Sequence, residues 1–365
     1  MDERIDRLQR RCAAQPGLLT LGGGLPALEA IPRDALAAAS ARALADPSMQ
    51  ALQYGWPEGD EELRTWVARR LSRRGRPTKA DEIIVTSGAQ QGLAISASLL
   101  AEEVAEIAVP DACYPGALDV FRARLALTGI AGDRGRPPHE GARTAQYRMT
   151  GTDNPTGALF DADEARRRVE EGAPVILDEA YAELVFDGET RVDAGLAAAE
   201  GVWWVGTFSK TLAPGLRVGW LIPPRAWHAR AVEAKRAMDL QTNSTGQRVL
   251  AQLLGGLDYD AHLDRLRALY RRRAERLTDA LRGWIPDWNF ATSRGGFALW
   301  IETGRVGSEL DLLTQAMHEG VSFDPGQSFR RTPSPLVALR LSYSSIDEQD
   351  IEAAAQRLGR AWRAL

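Results

Sequence analysis

Gly206-Thr207-Phe208-Ser209-Lys210-Thr211-Leu212-Ala213-Pro214-Gly215-Leu216-Arg217-Val218-Gly219-Trp220 is the stretch on which the reading of this chain turns. It leaves one apolar strand, Val202-Trp203-Trp204-Val205, and enters another, Val218-Gly219-Trp220-Leu221-Ile222, with a lysine between two hydroxyls in the connection. Of the 45 Lys+Arg residues only Lys79, Lys210 and Lys235 are lysine, a bias read as a coding preference for arginine. Where plain positive charge suffices, such a chain shows arginine. A lysine can lose its proton and form a Schiff base, which an arginine cannot. Lys79 sits in a polar turn with Arg73, Arg74 and Arg76, and Lys235 lies on a helix between Glu233 and Arg236, so both read as surface. Lys210 is the one lysine in a site-like context.

Outward from that stretch, short apolar strands alternate with helices. The strands are Ile83-Ile84-Val85, Ile107-Ala108-Val109, Pro174-Val175-Ile176-Leu177 and the two already named; helical stretches are expected at about 89–102, 115–125 and 161–171. This alternation indicates an α/β layer fold with a largely parallel sheet. Upstream, an apolar piece, Leu18-Leu19-Thr20-Leu21, runs into Gly22-Gly23-Gly24, and helices are expected over Pro32 to Ala45 and Asp60 to Arg74. Downstream, two long helices are expected over 225–254 and 259–282. Strands at Phe297 to Ile301 and Leu336 to Leu341 then mix with helices over 308–319 and 347–363. The expected division is a large domain over 41–240 and a smaller α+β domain made of 1–40 with 241–365.

Composition excludes several classes. The 365 residues suggest about two domains, and 44% hydrophobic with 26% charged residues is ordinary for a globular protein. A net charge of −4 gives no reason to expect a nucleic-acid surface, and the run Tyr270-Arg271-Arg272-Arg273 reads as a solvated helix face beside Glu275 and Asp279. No apolar run approaches the roughly 18 residues of a membrane span. The start, Met1-Asp2-Glu3-Arg4, is too charged for an export signal. Cys12 and Cys113 form no metal or disulfide pattern. A cytoplasmic enzyme without a metal site is the expectation.

In open α/β sheets, ligands sit beyond the carboxyl ends of the strands, and here the glycines and polar residues gather at those ends. After Val85 comes Thr86-Ser87-Gly88-Ala89-Gln90-Gln91, opening a helix: either a turn or a cup of free N–H groups for an anion such as phosphate. After Leu177 comes Asp178-Glu179-Ala180-Tyr181. A carboxylate at a buried strand end needs a cation, either a protonated ring nitrogen or a structural arginine. Asn154-Pro155-Thr156-Gly157 is by chemistry a turn. Arg340 is the only charge in the apolar run Leu336 to Leu341, suiting a carboxylate clamp or a buried ion pair.

Taken together and in this order, Gly23-Gly24-Leu25-Pro26, Gln53-Tyr54, Ser87-Gly88-Ala89-Gln90-Gln91, Tyr114-Pro115, the Asn154 motif, Asp178-Glu179-Ala180-Tyr181, Ser209-Lys210 with Pro214 to Gly219, and Leu339-Arg340-Leu341-Ser342 resemble the fold type I pyridoxal-phosphate enzymes. Within them the chain is similar to class I/II aminotransferases, most of all to the 2-aminoadipate/kynurenine type and the aminotransferase-like part of MocR regulators. The short stretch before Gly22 carries no winged helix, so a full regulator of that kind is not expected.

The resemblance implies a role for each matched residue. Lys210 forms the Schiff base with pyridoxal 5'-phosphate and shuttles the proton. Asp178 pairs with the pyridine nitrogen, and Asn154 and Tyr181 hydrogen-bond the phenolic oxygen. Tyr114 stacks on the ring. Gly88, Ala89, Gln90, Ser209 and Arg217 cradle the phosphate, and Tyr54 reaches the phosphate of a neighbouring subunit, making a homodimer. Arg340, Gly24 and Asn154 bind substrate. The implied reaction moves an amino group from an L-amino acid to a 2-oxo acid by a ping-pong route. The same residues would serve a lyase, cyclase, decarboxylase or oxidase, for example of an arginine-like substrate, and a non-catalytic effector-binding domain would need no Schiff base. Two positions depart from the family pattern: Asp153, where an uncharged residue is expected, and Ala89, where a hydroxyl is frequent. Side-chain recognition is expected from Asp6, Arg7, Leu18, Leu19 and Trp56, which the sequence does not rank.

Overall fold

Strand pairing sorts the apolar runs into two sheets. The computed structural model describes residues 15–130, 143–187 and 191–365, together with Arg10 and Cys12. In chain order the strands are β1 Leu19–Leu21, β2 Ile84–Thr86, β3 Glu106–Val109, β4 Ala126–Gly129, β5 Thr144–Met149, β6 Val175–Asp178, β7 Val202–Thr207, β8 Gly219–Ile222, β9 Ala298–Val306, β10 Val321–Pro325 and β11 Leu336–Ser342. The helices are α1 Arg33–Ala45, α2 Glu61–Arg73, α3 Ala89–Leu100, α4 Pro115–Arg122, α5 Ala162–Glu170, α6 Ala194–Ala198, α7 His228–Asp239, α8 Ser244–Gly256, α9 Tyr259–Trp284, α10 Glu309–His318 and α11 Ile351–Arg363.

The larger sheet has seven strands in the order β2-β8-β7-β6-β5-β3-β4, parallel throughout except that β8 runs antiparallel to both neighbours. Its middle is apolar in runs rather than in alternation. Val175, Ile176 and Leu177 are wholly buried, and Trp203 and Trp204 nearly so, as in a sheet covered on both faces. Each such side chain contributes roughly 1.5–3 kcal/mol by leaving water. The smaller sheet, β1-β10-β11-β9, pairs β1 with β10 in parallel and the rest antiparallel. Thus the N-terminal Leu19–Leu21 joins a sheet whose other strands lie some 300 residues later. Among the described residues no helix is long and apolar enough to cross a membrane.

Several expectations are corrected. The single helix expected over 225–254 is two, α7 and α8. Leu240 adopts a positive φ of 61°, and Asn243 caps the new helix by accepting from the Gly246 N–H at 2.6 Å. Lys235 is 0% exposed instead of on the surface, its Nζ 2.5 Å from Asp239 Oδ1 one turn on. The basic run at 270–273 is not simply a solvated face. Tyr270 and Arg273 are buried, and Arg273 pairs with Glu29 and donates to the Ser344 carbonyl at 2.6 Å.

Candidate active site

The carboxyl ends of β5, β6 and β7 open on a cavity of about 770 Å³ whose lining includes Gly24, Tyr114, Asp178, Lys210, Arg217 and Arg340. Lys210 stands in the connection between β7 and β8, where Thr207 and Ser209 hold the turn: the Thr207 hydroxyl donates to Ser209 Oγ at 2.9 Å and accepts from the Ser209 N–H at 3.1 Å. From the far side Thr211 is fixed by α9, its Oγ1 taking the Tyr259 hydroxyl at 2.9 Å and its carbonyl lying 2.6 Å from His262 Nε2. Lys210 Nζ donates to the Gly24 carbonyl at 3.2 Å and lies 5.9 Å from the centre of the Tyr181 ring. Burial, with Arg340 nearby, pulls its pKa down to about 8, against a pull upward from Asp178.

Asp178 ends β6. Burial raises its carboxyl to about 6, while the Ala180 N–H (3.0 Å) and the Tyr147 hydroxyl (3.0 Å) favour its ionised form. The structural arginine considered as its alternative partner goes next door: Arg74 Nη1 meets Glu179 Oε2 at 2.7 Å. Tyr181 is buried, and burial pushes its phenol up.

Gly88 has φ +80° at the start of α3, so the first N–H groups of that helix, from Ala89 and Gln90 on, face the cavity. Arg217, in a left-handed turn at φ 54°, reaches across to the Ser87 carbonyl at 3.2 Å, and a side chain at Gly88 would press on its guanidinium. Tyr114 begins α4 and donates to Gln90 Oε1 at 3.3 Å, while Gln90 Nε2 holds the Gly116 carbonyl at 2.7 Å.

Arg340 is 6% exposed. Its Nη1 donates to Asn154 Oδ1 at 3.0 Å, its Nη2 pairs with Asp324 Oδ2 at 2.9 Å, and the guanidinium lies 4.7 Å from the Phe329 ring centre. The ion pair considered as an alternative thus exists, and the same side chain also lines the cavity. Gly24 has φ +58°, and a Cβ there would strike the Arg340 guanidinium.

Lys210, Asp178, Tyr181, Gly24, Ala89, Gln90, Tyr114, Asn154, Ser209, Arg217 and Arg340 line this one cavity, with Gly88 beside them. Tyr54 does not line it; it and Trp56 are 79% exposed. Leu18 and Leu19 do not line it either, and Asp6 and Arg7 lie outside the described residues. Side chains that the sequence does not single out also take part: Thr207 in the lysine turn, Tyr147 behind Asp178, Asp324 behind Arg340, and Arg122, Arg330 and Arg331 in the cavity lining. Tyr147 was findable, since Ala145, Tyr147 and Met149 repeat with the period of a strand. Asp153 is partly buried, its carboxyl pushed up by burial and steadied by the Thr156 hydroxyl at 2.7 Å.

The donor set fits pyridoxal phosphate on its own chemistry. A helix N-terminus with an arginine suits a phosphate, a buried carboxylate suits a protonated ring nitrogen, and an amine of depressed pKa suits an aldehyde.

Comparison with known proteins is consistent with this geometry. Residues 140–358 match the family described as "Aminotransferase class I and II". The 2-aminoadipate transaminase of Thermus thermophilus is 33% identical over 96% of this chain and 91% of its own length. Aromatic-amino-acid aminotransferase 1 of Thermococcus litoralis is 26% identical over 93% and 87%. The crystal structure of LysN, the α-aminoadipate aminotransferase of Thermus thermophilus, complexed with N-(5'-phosphopyridoxyl)-L-leucine, superposes with a TM-score of 0.86 at 31% identity, covering 98% of this chain and 94% of that one.

Proposed function

This chain belongs to the aminotransferase class I and II family, and we propose that its own residues carry the activity as follows. It is a pyridoxal-phosphate-dependent aminotransferase, acting on amino acids and 2-oxo acids. The observation that carries the proposal is the convergence of Lys210, Asp178, the start of α3 and Arg340 on one cavity.

When bound, pyridoxal phosphate supplies an aldehyde that condenses with amines and a ring that draws off the electron pair left at the substrate Cα. Lys210 would hold it through Nζ. The cup of Gly88, Ala89, Gln90, Ser209 and Arg217 would take the phosphate, and Tyr114 would cover the ring face. Asp178, ionised above about pH 6, would keep the ring nitrogen protonated, and Asn154 with Tyr181 would donate to the phenolic oxygen. Arg340, with the backbone at Gly24, would fix the substrate α-carboxylate and so bring the Cα–H bond over Lys210. Lys210 Nζ would be the group that takes that proton. Burial and Arg340 already pull the pKa of this amine down to about 8, which favours its neutral, proton-accepting form.

The substrate pair is proposed to include a dicarboxylic amino acid such as 2-aminoadipate. Arg122 brings a guanidinium to the cavity lining, and the relative named above acts on that compound by its name. Homodimerisation is proposed on the exposure of several large apolar side chains, Leu28 (84% exposed), Met49, Leu52, Tyr54, Trp56 and Leu240, with Tyr54 completing the partner's phosphate cup. The domain division at 41–240 against 1–40 with 241–365 is supported by the strands of the large sheet falling within 84–222 and those of the small one outside it. A cytoplasmic role in amino-acid biosynthesis rests on the family and on two well-separated thiols.

A screen tests the proposal. Purified holoenzyme is given 2-aminoadipate, glutamate, leucine, aromatic amino acids and arginine singly, with the cofactor's visible absorbance and the released oxo acid followed. Conversion of the cofactor to its amine form with stoichiometric oxo acid supports it. Release of ammonia, carbon dioxide or hydrogen peroxide in its place refutes the assigned reaction.

A further inference from the structure

Arg340 sits on β11 directly across the ladder from Asp324 on β10, in a sequence, Phe323-Asp324-Pro325-Gly326, that is otherwise apolar or a turn. A carboxylate there is costly, since Asp324 is 2% exposed and does not line the cavity. It is placed to act on two neighbours at once. Oδ2 accepts from Arg340 Nη2 at 2.9 Å and from the Gly23 N–H at 3.0 Å, and Oδ1 would lie 3.0 Å from any Cβ added at Gly22. Gly24, the next residue, accepts from Lys210 Nζ. One buried carboxylate therefore ties together the guanidinium, the glycine segment and, through that segment, the lysine.

We propose that Asp324 is a positioning residue for substrate α-carboxylate recognition. It fixes the Arg340 guanidinium from the Nη2 side as Asn154 fixes it from the Nη1 side, and it fixes the Gly22–Gly24 backbone against it. A guanidinium has five N–H donors, two on each η nitrogen, so after bonding Asn154 and Asp324 each η nitrogen retains a hydrogen for the two oxygens of one carboxylate. Held at both η nitrogens, the fork is set before substrate arrives, and less freedom is lost on binding. Asp324 also balances the charge of a guanidinium that would otherwise wait in a dry site. The glycines follow from the same arrangement, because a side chain at Gly22 would press on Asp324 and one at Gly24 would strike Arg340.

This rests on the reading of Arg340 as the carboxylate clamp, and the experiment separates the two. The holoenzymes of wild type, Asp324→Ala, Asp324→Asn and Arg340→Gln are titrated with 4-methylpentanoate, a carboxylate with no amine, following the cofactor's visible band. Cofactor affinity and Tm are measured beside it. Asp324→Ala is expected to bind the carboxylate about tenfold more weakly, the effect of releasing one charge-assisted hydrogen bond, with cofactor affinity unchanged. Asp324→Asn keeps an oxygen for Gly23 and Arg340 and is expected to recover most of that loss. Should Asp324→Ala be too unstable to purify, Asp324→Ser, too short to reach Arg340, gives the same reading. Carboxylate affinity equal to wild type in Asp324→Ala, with only Tm lowered, overturns the proposal, as does an Asp324→Asn variant no better than Asp324→Ala. If Arg340→Gln also binds the carboxylate normally, the clamp reading itself fails; if Arg340→Gln alone loses affinity, only the role of Asp324 falls.

Discussion

Tyr147→Phe removes one hydroxyl from the wall behind Asp178 and leaves the ring in its packing against Phe121. The hydroxyl donates to Asp178 Oδ2 at 3.0 Å, and its effect is to hold down a carboxyl that burial has raised to about 6. A hydrogen bond to a charged acceptor contributes about 1.5–3 kcal/mol, and one pKa unit corresponds to about 1.4 kcal/mol. Losing the bond therefore raises Asp178 by about one unit or more, to about 7 or above. Only the ionised carboxylate attracts a protonated ring nitrogen, so cofactor affinity in the variant should equal wild type at pH 9. It should fall below wild type by about threefold at pH 6.5, where about three-quarters of wild-type Asp178 but about a quarter of the variant's is ionised. The assay is a titration of apoenzyme with pyridoxal phosphate from pH 5.5 to 9. The cofactor's own ionisations are common to both proteins, so the displacement between the two curves carries the result. The linkage also bears on stability. A carboxyl whose folded pKa lies above its unfolded value makes folding less favourable as pH rises from the unfolded to the folded pKa, and the variant widens that window upward. Its apoenzyme should therefore lose more Tm relative to wild type at pH 8 than at pH 5. Superposed affinity curves, or an acid limb moved to lower pH, would refute the coupling of Tyr147 to Asp178.

Lys235→Ala strips the partner from Asp239, which also accepts from Gln91 Nε2 at 2.8 Å and Ser87 Oγ at 3.2 Å beside the phosphate cup. A loss of about 2 kcal/mol is expected by denaturant unfolding, below the value for a fully buried pair because Asp239 keeps some contact with water. Gly24→Ala places a methyl against Arg340 at a φ of +58° and should weaken carboxylate binding at least tenfold while leaving cofactor affinity intact; unchanged carboxylate affinity would count against the clamp geometry. In the apoenzyme the rate at which Lys210 combines with the aldehyde should climb as pH rises through about 8, since only the free amine reacts; a pH-independent rate would contradict its depressed pKa. Sedimentation should give a particle of two chains, and mixing a Tyr54→Phe protein with a Lys210→Ala protein should form hybrids in which one site regains full phosphate affinity; a monomer at micromolar concentration would contradict the shared-site proposal.

What the sequence discloses depends on how much of a position's environment is local. The strands ending at Asp178 and Thr207 are readable because both faces are covered, leaving unbroken apolar runs such as Val175-Ile176-Leu177. β4 and β5 pass unnoticed because Thr128, Thr144, Gln146 and Arg148 break that run, although the apolar residues of β5, Ala145, Tyr147 and Met149, still recur at every second position. β10 is hidden by Ser322 and Asp324, polar residues that make sense only once Arg340 is placed across the ladder from Asp324. Lys235 reads as surface from its chain neighbours Glu233 and Arg236, but a helix sorts residues by turn, and its relevant neighbours are Ala231 and Asp239. The residues of the site at or just beyond the end of a strand, Asp178 and Lys210 above all, are legible from order alone. The supporting side chains, Tyr147 on Asp178, Asp324 on Arg340, and Tyr259 and His262 on Thr211, are separated from their targets by 16 to more than 50 positions and come together only through the fold.

One amine, that of Lys210, is proposed to hold the cofactor. Borohydride reduction of the holoenzyme followed by peptide mass mapping tests it most directly. A single phosphopyridoxyl adduct is expected on the peptide carrying Lys210, absent from Lys210→Ala, which still takes up the cofactor without a covalent bond. An adduct on Lys79 or Lys235, or an unmodified Lys210 in protein that has bound the cofactor, would contradict it.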